Sequence, residues 1–167
     1  MDDIHRVSAQ YIARTLQEAG YRGKIETNGD CVYVHTAAEG WGFNIRFFNE
    51  IPSHAEQECE SLQFWAFWPL ADEAQEVVCR VANEFNCDMR YATAFVRNGD
   101  GKYWAEITMD HIAADGVTAK TFIDILQLFV DLRRNFFQRA REALASTEDE
   151  TSVRESDESE EVKPTTH

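Results

Sequence analysis

The 167-residue chain has little of what interrupts regular structure: three prolines and eight glycines. It also lacks an apolar run near the ~20 residues of a membrane span, and its first residues do not have the charged and apolar regions of a signal peptide. Four cysteines are present without any CxxC pair: Cys31, Cys59, Cys79 and Cys87. We predict buried, reduced thiols in a cytoplasmic protein.

Positive charge is also scarce. The chain has 16 basic and 30 acidic residues, for a net charge of −14. The segment 148–163 has eight acids and two bases, or −6, which leaves −8 for the rest of the chain. An acidic body argues against nucleic acids and against anionic membrane surfaces as partners, because both attract basic patches. We therefore predict a partner that is apolar or basic.

Three segments have the apolar spacing of amphipathic helices. They cover residues 4–20, 72–85 and 118–145. Asp2 or Asp3 is expected to cap the first helix, and Thr118, or alternatively Asp115, the third. Asn86 is expected to end the second helix. The sequence thus predicts helices at the start, in the middle and at the end of the folded region.

Period-two alternation and β-forming residues predict strands between these helices. The strands cover residues 24–27, 31–36, 42–47, 61–68, 90–97 and 102–110. Asn28-Gly29-Asp30 and the segment 98–101 are hairpin turns, residues 49–60 form a loop, and Pro69 ends the fourth strand. The order helix–strands–helix–two strands–helix predicts an α+β fold with a helix-covered antiparallel sheet.

Composition divides the chain in two. Residues 1–145 contain the periodic segments and form one domain of ordinary size. Residues 146–167 are rich in Glu, Asp, Ser and Thr and have too few apolar residues to offset the entropy of ordering. We predict a folded domain followed by an acidic, disordered tail.

Two polar clusters were considered as sites of chemistry. One is the acidic loop, which has the donors of a metal site but not the spacing of a zinc pattern: His54, Glu56, Glu58, Cys59 and Glu60. The other is His111 with Asp115, four residues apart, where a carboxylate could orient an imidazole for general-base catalysis. No serine or cysteine nearby completes a nucleophile pair, and Asp is a common helix cap. We therefore predict no catalytic residue, no metal and no cofactor.

The aromatic residues are a stronger signal. Phe64, Trp65, Phe67 and Trp68 lie within five residues of one strand, and Trp104 lies on another. Alternation directs Phe64 and Trp68 to one face and Trp65 and Phe67 to the opposite face. Either helices of the same chain cover both faces, or one face is an association surface for a second subunit or a client chain. These five aromatic residues are the candidate dimer or protein-binding face.

The chain resembles the YbjN family, whose members are described as bacterial sensory-transduction regulators. The likeness extends over residues 4–140 and rests on the segment 116–122 that opens the last helix, Asn135-Phe136-Phe137 in that helix, the segment 83–86 and Asp100-Gly101. The family's fold is similar to that of class I type III secretion chaperones, which are α+β homodimers that bind unfolded segments of clients. The resemblance implies this fold and supplies no catalytic residues.

These observations predict a non-enzymatic, cytoplasmic binding or regulatory protein that acts as a homodimer, with a protein or peptide client as a further partner. Two alternatives stay open. The first is a dedicated secretion chaperone for an exported client. The second is a small-ligand sensor that uses His111 and Asp115.

Overall fold

The computed structural model describes residues 3–51 and 58–160, with side chains through residue 147. It confirms the α+β class, with six antiparallel strands in one sheet of order β1-β2-β3-β4-β6-β5 and with three helices. The strands are β1 Lys24–Asn28, β2 Cys31–Ala38, β3 Trp41–Glu50, β4 Cys59–Leu70, β5 Thr93–Gly99 and β6 Lys102–Ile112. The helices are α1 Ala9–Glu18, α2 Gln75–Asp88, which follows a 3₁₀ turn at Asp72–Ala74, and α3 Ala119–Glu160.

The core lies between one face of the sheet and the helices. Phe64 in β4 is the central contact, because its ring lies 6.1 Å from that of Phe122 and 5.3 Å from that of Phe129, both on α3. Phe43 on β3 also meets Phe129, at 5.3 Å between ring centroids. The apolar stripe predicted for the last helix therefore packs on the apolar face predicted for the strands, and this burial is the main stabilising term.

The first helix begins later than the sequence predicted. Ser8, not Asp2 or Asp3, is its cap, because the Ser8 hydroxyl accepts a hydrogen bond from the backbone N–H of Tyr11. The residues before Ser8 are extended: His5 pairs with Val117, and Val7 pairs with Cys59. The predicted end is confirmed, since Gly20 has φ +85°, which favours glycine after a helix.

Pro69 does not end the fourth strand, which continues to Leu70. β4 pairs with β3 only as far as Trp65, whereas its pairing with β6 includes Pro69 opposite Trp104. Beyond Trp65, the side of β4 that faces β3 therefore has no strand partner. Proline has no N–H to donate, and it is tolerated at such an edge because no partner strand needs that donor.

The last helix begins as predicted and ends later. Thr118 caps α3 by accepting a hydrogen bond from the Thr121 N–H at 3.0 Å. Helical backbone then continues through Glu160, whereas the sequence predicted a helix that fades near Ala145 and a disordered segment after it. Low apolar content argues against packing, but it does not prevent a nucleated helix from propagating through helix-forming residues. The domain boundary at residue 145 stays a prediction.

The predicted loop at residues 49–60 is shorter than expected. β3 continues to Glu50 and β4 begins at Cys59. Residues 52–57, with His54 and Glu56 of the considered metal cluster, lie outside the described residues.

Candidate functional site

The sheet separates the five candidate aromatic residues by face, as their alternation predicted. Phe64 and Trp68 lie on the helix side, where Phe64 is fully buried and Trp68 packs against Phe137 at 5.9 Å between ring centroids. Phe64 has no exposed surface and Trp68 is partly buried against the core, so neither shares a face with the other three candidates. Trp65, Phe67 and Trp104 lie on the opposite side.

We call this opposite side the open face, defined by Trp65, Phe67, Trp104, Arg46, Arg97 and Glu106. The buried apolar residues of all three helices belong to the core cluster on the other side of the sheet. Within the described parts of the chain, therefore, these helices do not enclose the rings. Phe67 is 41% exposed, a large fraction for a phenylalanine in a central strand.

The three rings of the open face touch one another. The Phe67 ring lies 4.8 Å from that of Trp65 and meets the Trp104 ring edge-on at 5.4 Å. Such pairs contribute about 0.5–1.5 kcal/mol beyond their burial. The rings therefore form an ordered apolar platform.

A buried carboxylate holds the platform in place. Glu106 on β6 is only 4% exposed, and both of its oxygens accept hydrogen bonds. Trp65 Nε1–H donates to Oε2 at 2.9 Å, and Arg97 Nε–H donates to Oε1 from β5. Because buried charges are tolerated when they are paired and hydrogen-bonded, Glu106 both satisfies the indole and fixes its orientation.

Arg46 on β3 lies over the ring system of Trp65. Its guanidinium carbon lies 3.4 Å from the centroid of the Trp65 ring system, within cation–π range. Burial lowers the pKa of Arg46, and the nearby Glu106 carboxylate opposes this effect. In residues 3–51 and 58–147, Arg46 has neither a hydrogen bond nor an ion pair with another side chain, so its direct contact is the stacking on Trp65.

Sequence reasoning assigned no role to Arg46, Arg97 or Glu106. Alternation alone identified the face of each residue. The cross-strand neighbours depend on the sheet order, in which Glu106 lies opposite both Phe67 and Phe95. That order joins segments far apart in the chain.

The structure does not bring His111 and Asp115 together as a catalytic pair. His111 lies at the end of β6, where burial lowers its pKa, and Asp115 lies in the exposed turn that follows. No hydrogen bond or ion pair joins them in the described ranges. Among the side chains described, no three His, Cys, Asp or Glu residues are grouped as metal ligands.

The prediction of buried cysteines was wrong for three of the four. Cys31, Cys79 and Cys87 are exposed, and Cys59 is buried, where desolvation raises the pKa of its thiol to about 11. Cys79 and Cys87 lie on the solvent side of α2, beside its apolar stripe, which explains the error. Cys31, Cys79 and Cys87 form no disulfide within the described residues.

Comparison with known proteins identifies the family. The sequence model of the YbjN family, described as "Putative bacterial sensory transduction regulator", matches residues 8–142. This chain belongs to the YbjN family. No curated protein matches the sequence.

A solved member has the same fold. The crystal structure of YbjN from E. coli, described as "a putative transcription regulator", aligns with a TM-score of 0.63 and 12% sequence identity. The alignment covers 87% of this chain and 97% of the E. coli chain. At this identity the likeness establishes the YbjN fold alone. Separately, none of the helices described here has the length and apolarity needed to span a membrane.

Proposed function

We propose that this YbjN-family chain is a non-enzymatic regulator that acts by binding another polypeptide through the open face, with a second copy of itself as the occupant. The observation that carries the proposal is the Trp65–Phe67–Trp104 platform on the side of the sheet opposite the helices. Tryptophan and arginine are enriched among the residues that dominate binding energy, and this surface contains both.

The platform is ordered before any partner arrives. Glu106 fixes Trp65 and Arg97, and Phe67 is held between two indole rings. Association on a surface of this kind loses less side-chain entropy than association on a flexible one. Preorganisation therefore favours binding as the role of these residues.

Charge favours a second copy as the occupant. The chain as a whole has a net charge of −14, which opposes self-association through most of its surface. The open face differs from the rest of the surface because several of its charges are neutralised within the chain: Lys24 pairs with Glu26, and Arg97 pairs with Glu106. A two-fold interface brings the same patch together from both subunits, so a neutralised patch opposes self-association less than the remaining surface does.

The same proposal places the protein in the cytoplasm, where its exposed unpaired cysteines would stay reduced. A chaperone-like role for a client would use the same face. The fold alone suggests that role, and we propose the homodimeric regulator as the primary function.

Two substitutions of matched exposure test the interface. Phe67 on the open face is 41% exposed and Leu128 on α3 is 40% exposed, so Phe67→Glu and Leu128→Glu introduce the same charge at equally accessible apolar sites. We expect wild type and Leu128→Glu to be dimers by size-exclusion chromatography with light scattering. Phe67→Glu should dissociate about thirtyfold more readily, since a central aromatic contributes about 2 kcal/mol.

Circular dichroism of both variants confirms that each is folded before the masses are compared. A wild-type chain that is monomeric throughout the micromolar range would contradict the dimer. Dissociation by Leu128→Glu and not by Phe67→Glu would move the interface to the helix side.

A further inference from the structure

A recess begins beside the aromatic platform and continues past the edge of the open face. It has a volume of about 680 Å³. Its open-face lining includes Tyr33, Asn44, Arg46, Phe48, Trp65 and Phe67, and its far end is lined by Ala9 of α1 and by Val32 and Phe47 from the helix side of the sheet. This volume is within the range of small-molecule sites, which are about 300–1,000 Å³. Aromatic walls with a few polar groups are the usual composition of such sites.

Arg46 gives the recess its chemical preference. Stacking on Trp65 holds the guanidinium plane, and a guanidinium presents five N–H donors in a rigid fork. Glu106, the carboxylate that acts most strongly on Arg46, already accepts from Trp65 and Arg97. The donor edge of Arg46 is thus oriented without a hydrogen-bonded acceptor among the described residues, and a carboxylate matches its geometry in bidentate fashion.

Two further residues limit the charge of the ligand. Asp30 and Glu50 also line the recess, so a dianion such as hydrogen phosphate would meet two like charges. A singly charged carboxylate keeps the Arg46 contact with the least repulsion. The rings of Phe48, Trp65 and Phe67 then supply apolar contact for the body of the ligand.

We propose that this recess binds a small organic monocarboxylate with a flat apolar body, with the carboxylate on Arg46 and the body against Phe48, Trp65 and Phe67. Because Trp65 and Phe67 also belong to the platform, such a ligand would alter the surface offered to a second copy. This regulatory consequence rests on the proposed function, whereas ligand binding itself does not.

Isothermal titration calorimetry with naphthalene-1-acetate tests the site, with naphthalene-1-acetamide as the uncharged analogue and inorganic phosphate as the simple anion. We expect saturable binding of the carboxylate and at least roughly tenfold weaker binding of the amide, because a hydrogen bond to a charged group contributes about 1.5–3 kcal/mol. Arg46→Gln should weaken carboxylate binding by a similar factor. Arg46→Lys should restore only part of it, because lysine lacks the planar fork.

Arg80→Gln on the exposed surface of α2 is the matched control, since it removes the same charge away from the recess, and it should bind like wild type. Thermal melts establish that the variants are folded. Absence of binding in wild type at millimolar probe, equal binding by Arg46→Gln, or phosphate binding as tight as the carboxylate would each overturn the proposal. A monomeric wild type that still binds the carboxylate through Arg46 would overturn only the dimer.

Discussion

At the scale of single residues, Arg133 is a charged side chain that the fold buries, with 2% exposure. Its two terminal nitrogens donate to the carbonyls of Ala38 and Trp41 at 3.2 Å each, and its guanidinium carbon lies 5.5 Å from the Phe43 ring centroid. The carbonyls flank the turn between β2 and β3. Arg133 therefore fastens this turn to α3, a role that its sequence neighbours do not indicate.

We predict that Arg133→Lys lowers the free energy of unfolding by about 2–3 kcal/mol, measured by urea denaturation. Lysine lacks the planar fork that reaches both carbonyls, so one of these partly buried carbonyls loses its donor. Arg134→Lys is the control, because Arg134 pairs with Glu39 at an exposed site and should change stability by less than about 1 kcal/mol. Equal losses for the two variants would contradict the role of Arg133.

At the scale of elements, Asn86 joins α2 to β5. The sequence predicted that Asn86 ends the second helix, but α2 continues to Asp88. The side-chain amide of Asn86 instead pairs with the backbone of Ala94, donating to its carbonyl and accepting from its N–H, both at 2.8 Å. The prediction was wrong because the Asn86 side chain forms hydrogen bonds with β5 instead of capping the end of its own helix.

We predict that Asn86→Ala destabilises this junction by about 1–3 kcal/mol, because it removes both the donor to the Ala94 carbonyl and the acceptor for the Ala94 N–H. Hydrogen exchange of the Ala94 amide, followed by NMR, should accelerate in the variant. Asn83→Ala, on the exposed surface of the same helix, should leave that amide unchanged. Unchanged exchange in Asn86→Ala would show that the pair is not stabilising.

At the scale of the whole molecule, the core ends well before the chain does. The last fully buried residue of α3 is Ala140, and Ala143 and Leu144 are partly buried against the core. The family match ends at residue 142. We therefore expect the helical backbone beyond residue 147 to extend α3 without being required for the fold.

We predict that truncation after Thr147 changes the free energy of unfolding by less than about 0.5 kcal/mol. A second truncation after Leu132 removes Phe136 and Phe137 from the core and should prevent folding. Chemical denaturation and near-UV circular dichroism compare the two. A large loss of stability after the first truncation would show that the acidic segment supports the domain and would move the proposed boundary beyond residue 145.

The sequence alone determined what depends on nearby residues. Period-two alternation assigned Trp65 and Phe67 to one face and Phe64 and Trp68 to the other, and Thr118 was one of two residues offered as the cap of α3. Asn28-Gly29-Asp30 and the segment 98–101 gave the hairpins, because turns that require positive φ select a few residue types. Fold class followed from the order of these elements.

Only the tertiary structure decided which strands are neighbours. Trp65 and Glu106 are 41 residues apart, and they meet because β6 lies beside β4. Arg46 reaches Trp65 because β3 lies on the other side of the same strand. Strand order is set by burial of the whole helix-side face, a long-range property, so the charged network around Trp65 has no signature in any local stretch of the chain.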